Sequence, residues 1–238
     1  MKRLLAALLL LGLAQAGDVT PLGFSGPVEN GLPSGWRHVA FPSISKTTSY
    51  AVITSGDTLV LRAHAKGSAS VVVRAVGDAA GERLRWRWCV DRTVLSGDGA
   101  TKATDDLAAR VWVGFEGDWE LEGWLYRRNA EKAKAAYGFM PPTHWIHYVW
   151  AGRGRMRGED FDEPYDPAHV KCVALRNAND ALGDFVEEER DPRADFKRLF
   201  GRDPGKIIAI GVMTDADDTD SEAIARYSEV GWVSSASR

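Results

Sequence analysis

The residues best suited to chemistry are concentrated in residues 207–220, where the apolar run 207–213 gives way at once to Thr214, Asp215, Asp217, Asp218, Thr219 and Asp220. Four carboxylates this close repel one another, so a folded chain keeps them ordered only where a cation, an Arg or Lys side chain, or backbone N–H groups answer the charge. Asp215, Asp217, Asp218 and Thr219 are therefore candidate metal ligands. Calcium is the expected ion, being hard, tolerant of irregular oxygen geometry and abundant outside the cytoplasm. The stretch is not a helical calcium loop, because Asp220 stands where that loop requires Gly. The other reading is a salt-bridged latch in which Asp215 or Asp217 meets a buried arginine such as Arg110 or Arg190.

A second group of polar residues surrounds the strand-like segment 107–115. Asp105 and Asp106 precede it, and Arg110 and Trp112 alternate with its apolar positions. In segment 84–90, Arg85, Arg87 and Cys89 likewise alternate with Leu84, Trp86, Trp88 and Val90. If the two strands are neighbours, Arg87, Arg110 and Trp112 form a cationic and aromatic platform on an outer sheet face. Such a platform suits a saccharide, whose C–H faces stack on indole while its hydroxyls bond to charged groups. Arg87, Arg110, Trp112, Asp105 and Asp106 are thus the candidate ligand-binding residues, although tryptophans in a β-sandwich serve equally well as core filling. No catalytic motif accompanies them: there is no G-x-S-x-G elbow, no phosphate-binding loop, and His144 and His147 fall on opposite faces of a strand, which argues against a zinc pair. His38, His64 and His169 stand alone.

Segments of period two dominate the elements that must position these groups. Residues 36–40, 50–54, 58–65, 69–76, 84–90, 107–115, 145–151, 170–175, 207–213 and 227–233 read as short strands separated by turn-forming clusters such as Ser55-Gly56-Asp57. Two helices are expected, one at 129–137 and one after Asp191, with Pro192 in its first turn and Gly201 as terminator. This pattern predicts an all-β fold, a two-sheet antiparallel β-sandwich or jelly roll with one or two short helices. Met1-Lys2-Arg3, the apolar run that follows and Ala14-Gln15-Ala16 read as a secretory signal peptide over residues 1–16, leaving residues 17–238 as a single domain that is periplasmic or secreted, with no membrane span. The formal net charge is −3 and the basic residues are interleaved with acids, which makes nucleic acid a poor partner. Cys89 and Cys172 suit either a disulfide in an exported chain or two unrelated buried thiols.

The segments WRWCV at 86–90, DDLAARVWVGF at 105–115, HYVWA at 147–151, ERDPRADFKRLFG at 189–201 and IGVMTDADDT at 210–219 resemble an exported bacterial family known only as a domain of unknown function, DUF3047. The resemblance extends over most of the chain, with Cys89, Pro192 and Asp218 departing from the family's usual residues. It implies a single-domain β-sandwich similar to carbohydrate-binding jelly rolls, and it brings no activity with it. The leading functional expectation is non-catalytic binding of a glycan or cell-envelope saccharide. The alternatives are a glycan-active hydrolase or lyase using Asp105, Asp106, Asp215 or Asp217 beside Arg110, and a structural envelope protein whose acids and arginines only pair internally.

Overall fold

The computed structural model describes residues 19–24, 28–29, 31–78 and 82–234; the expected signal peptide lies outside them. In chain order the elements are β1 (Val19–Pro21), β2 (Val28–Glu29), β3 (Leu32–Pro33), β4 (Trp36–Ala40), β5 (Ser49–Ser55), β6 (Thr58–Lys66), β7 (Ser70–Ala75), β8 (Glu82–Arg92), β9 (Ala109–Phe115), α1 (Trp124–Tyr137), β10 (His144–Trp150), β11 (Asp160–Asp162), β12 (Val170–Arg176), β13 (Val186–Arg190), α2 (Pro192–Phe200), β14 (Ile207–Met213) and β15 (Glu222–Ser234). Six strands form one sheet, β13-β8-β15-β6-β5 with β1 on β15, and seven form the other, β11-β12-β10-β9-β14-β7-β4. All pairings are antiparallel except β10 with β12. The fold is therefore the expected mainly-β sandwich. No helix among the described residues is long and apolar enough to cross a membrane.

Alternation builds the interior. Trp86, Trp88 and Val90 from β8 face Val111, Val113 and Phe115 from β9 and Ile146, Tyr148 and Trp150 from β10. The indoles interlock edge to face, Trp86 with Trp88 at 5.6 Å and Trp88 with Trp150 at 5.8 Å between centroids, geometries that add to the area they bury. The expected alternation slips at the entry to β9. Ala108 and Ala109 both face the interior, and Leu107 joins Val149, Ala151, Cys172 and Ala174 on the far side of the sheet, because regular pairing starts only at Ala109.

Two expectations are corrected, and the choice left open for the cysteines is decided. β8 and β9 belong to different sheets, so Arg87 is not a neighbour of Arg110 and Trp112; it is half-exposed, paired with Glu229 at 3.0 Å. The outer face of β9 is not an open platform, because Trp112, Trp145, Val71, Val73 and Met213 form a second apolar layer there, with Phe41, Ile44, Tyr137 and Phe139 packed against it. Cys89 and Cys172 are free buried thiols on opposite sheets.

Candidate functional site

Antiparallel pairing of β14 with β9 sets Met213 opposite Arg110, which carries Asp215 level with the chain entering β9. Leu107 N–H accordingly donates to Asp215 Oδ1 at 3.0 Å, and Arg110 closes the arrangement with Nε on the same oxygen at 3.2 Å and Nη2 on Oδ2. Nη2 also donates to the Asp105 carbonyl and stands 3.3 Å from Asp105 Oδ1, close enough for ion pairing but not aligned as a hydrogen bond. Only 2% of Arg110 is exposed. Burial raises the Asp215 carboxyl against the pull of Arg110, but a two-pronged guanidinium and a backbone N–H hold it as the carboxylate. Asp215 is thus spent on the latch and is not free to ligate a cation.

Asp105 faces the same guanidinium without the fork. Burial pushes it up to about 7, Arg110 opposes this and Glu163 reinforces it. One arginine cannot neutralise three acids, so this carboxyl is the one that exchanges its proton near neutrality.

Asp106, buried, turns the other way. Its carboxylate accepts from Asp218 N at 3.1 Å, Thr219 N at 2.6 Å and the Thr219 hydroxyl, anchoring the loop after β14 to the loop before β9. One ligand oxygen each from Asp106, Asp217 and Asp218 falls within 4.8 Å of the others. Half-burial and its acidic neighbours Asp218 and Asp106 push Asp217 up to about 6, and Asp218 is raised by burial, with the Tyr165 hydroxyl bond at 2.6 Å opposing. Tyr165 itself is 53% exposed. The geometry therefore gathers Asp217 and Asp218 with Asp106, while Thr219 serves Asp106 as a donor. Among the described residues no Arg side chain bonds to this oxygen cluster, although the Arg110 charge lowers Asp217 and Asp218.

Across the outer face of the seven-stranded sheet, β10 pairs His147 with Trp112, and the rings stack at 4.2 Å and 10°. Among the described residues, neither ring nitrogen of His147 has a hydrogen-bond partner, nor does the Trp112 indole N–H. Burial, with Arg110 adding to it, holds His147 well below the usual imidazole range, so the ring is neutral. Core indoles Trp86 and Trp88 also lack partners, so an orphaned indole alone says little. A neutral imidazole with both nitrogens unanswered is different, because each buried unanswered group costs about 1–3 kcal/mol.

His144 points to the opposite side of β10 from His147, as expected, but His169 does not stand alone. Glu122, His144 and His169 also bring one ligand atom each within 4.8 Å. Burial, with the neighbouring Arg202 and His169 adding to it, lowers His144 to about 4. No local spacing signals this group, since its members come from the approach to α1, the start of β10 and the turn before β12.

The family model described as "Protein of unknown function (DUF3047)" matches residues 34–231. No curated protein matches the chain. Among solved structures it is similar to the K2 cleaved adhesin domain of Lys-gingipain, with 8% identity, TM-score 0.41 and coverage of 92% of this chain and 98% of that one. The K3 cleaved adhesin domain of Lys-gingipain from Porphyromonas gingivalis w83 gives 9%, 0.39, 87% and 95%. A family 11 carbohydrate-binding module from Clostridium thermocellum, solved with a β-1,3-1,4-mixed-linked tetrasaccharide, gives 7%, 0.35, 87% and 94%. Similarity of this degree carries nothing about function.

Proposed function

We infer that this chain, which belongs to the DUF3047 family, is an exported, non-catalytic binder of a glycan or cell-envelope saccharide. The observation that carries the reading is Tyr165: an aromatic ring 53% exposed whose hydroxyl donates to Asp218 Oδ1 at 2.6 Å, beside the Asp106, Asp217 and Asp218 carboxyls. A ligand rich in hydroxyls bonds to the partly exposed Asp217 and Asp218 carboxyls while its C–H face meets the Tyr165 ring. Arg110, held by Asp215 and ion-paired with Asp105, fixes the loop that carries Asp106. Asp106, Asp217 and Asp218 would hold a calcium ion at the adjoining loops, with Tyr165 as the exposed aromatic beside it.

The test is a glycan array with purified mature protein, with and without a calcium chelator, repeated with Tyr165→Ala. Expected is binding without turnover that Tyr165→Ala removes while its melting curve stays cooperative. Absence of any glycan signal in the presence of calcium would overturn the reading.

A catalytic reading has one observation in its favour, the Asp105 carboxyl pushed up to about 7 beside Glu163, which is how a proton donor for glycoside cleavage is poised. Product release from an envelope polysaccharide, lost in Asp105→Asn, would replace the binding role with that one.

A further inference from the structure

We propose that Glu122, His144 and His169 form a binding site for a divalent transition-metal ion, with zinc as the fitting occupant, at the end of the seven-stranded sheet away from the Arg110 latch. In the β9–β10 ladder His144 sits opposite Phe115 and Val149 opposite Arg110, a separation of roughly 16 Å along the strand. This site is therefore distinct from the Arg110 latch.

Parallel pairing of β10 with β12 builds it. Trp145 lies beside Val170 and donates its N–H to the His169 carbonyl at 2.8 Å, which sets His144 and His169 side by side with ring centroids 5.3 Å apart. Tyr126 of α1 stacks on His169 at 4.0 Å, so the helix that follows Glu122 also fixes the imidazole plane.

The ring nitrogens are sorted in the manner metal sites require. His169 Nδ1 is engaged by the Asp166 carboxylate at 2.7 Å and His144 Nδ1 by the Thr143 hydroxyl at 2.9 Å. Outer partners of this kind orient ligating histidines and raise their basicity. The two Nε2 atoms are left for the cluster: that of His169 is 2.9 Å from Glu122 Oε2, and that of His144 is 2.7 Å from Arg202 Nη2. A guanidinium has only protons to give, so His144 Nε2 accepts and offers its lone pair towards the cluster. Arg202 occupies the position of a positive charge there, and it is an exposed residue after α2 that can swing into solvent. Two imidazoles and one carboxylate are borderline donors that suit zinc and its neighbours better than calcium, and they leave a fourth tetrahedral position open.

The alternative is a purely structural cluster in which a protonated His169 bridges Glu122 and Asp166 and Arg202 caps His144. The two part ways on titration of tag-free, chelator-stripped protein with zinc chloride by calorimetry, and with cobalt(II) by visible absorption. Expected is one saturable zinc ion per chain and intense tetrahedral cobalt bands. His169→Gln and Glu122→Gln should each weaken binding about tenfold or more. Arg202→Ala should tighten it, a gain that misfolding cannot imitate. No saturable binding by the wild-type chain, undiminished affinity in both ligand variants, or weaker binding in Arg202→Ala would each overturn the site.

Discussion

Arg110 shows how a single residue can hold two loops and still leave the charge unbalanced. Its guanidinium is matched to Asp215, and removing either partner strands a buried charge, so Arg110→Met is expected to destabilise the fold by about 3–5 kcal/mol in chemical denaturation. The adjacent Asp105 sets a pH dependence. Its folded-state value of about 7 lies above the roughly 4 of an unfolded aspartate, so its contribution favours folding most below pH 4 and is lost as pH rises towards 7. Stability measured across that window should decline less in Asp105→Asn than in the wild type. His147 has the opposite cost: with two nitrogens unanswered among the described residues it weakens the protein, so His147→Phe is expected to raise stability by about 1–3 kcal/mol. A melting temperature that falls would show instead that His147 is answered in solution.

The helices and loops were legible to different degrees, and for different reasons. α2 begins and ends where its sequence signals place it, since the Asp191 carboxylate accepts from Arg193 and Ala194 N–H and Gly201 closes the helix at φ 68°. Asp191→Ala should cost about 1 kcal/mol by thermal melt. α1, in contrast, starts at Trp124 rather than 129. Its first turn follows Gly123, which offers no capping side chain, and exposes Trp124 and Leu125, so neither cap nor polarity marks the start. β13 is absent from the expected strands because it is a charged edge strand whose Glu188 and Glu189 are answered by Arg176, Arg83 and Arg85 across the surface. The loop before β9 depends on Gly97, where a Cβ would fall 1.6 Å from the Asp106 carbonyl oxygen. Gly97→Ala must displace the backbone that presents Asp105 and Asp106, and it should impair calcium and glycan binding together.

At the scale of the whole molecule, the 214–221 loop links the sheets. It follows β14 in one and leads into β15 in the other, and Tyr227 of β15 spans the gap to donate to the Met213 carbonyl at 2.6 Å. A cation at Asp106, Asp217 and Asp218 would therefore stabilise the sandwich and not only a loop. Calcium at 100 times its dissociation constant should add about 2.7 kcal/mol to global stability, and Asp217→Asn should abolish that increment. A melting temperature indifferent to calcium would exclude the ion.

The sequence by itself determined the class of fold, the short strands of period two, the cap of α2 and the acidic stretch after a buried strand, because these follow from local alternation and turn chemistry. It also supplied the residues of the latch, since an acid cluster after a buried strand needs a cation or an arginine. Only the tertiary structure decided that Asp215 takes Arg110 while Asp106 gathers Asp217 and Asp218, that Arg87 belongs to the other sheet, and that His144, His169 and Glu122 meet. Those outcomes depend on which strands pair and in what register. Pairing between segments far apart in the chain is set by packing of the whole sandwich, and no local spacing encodes it.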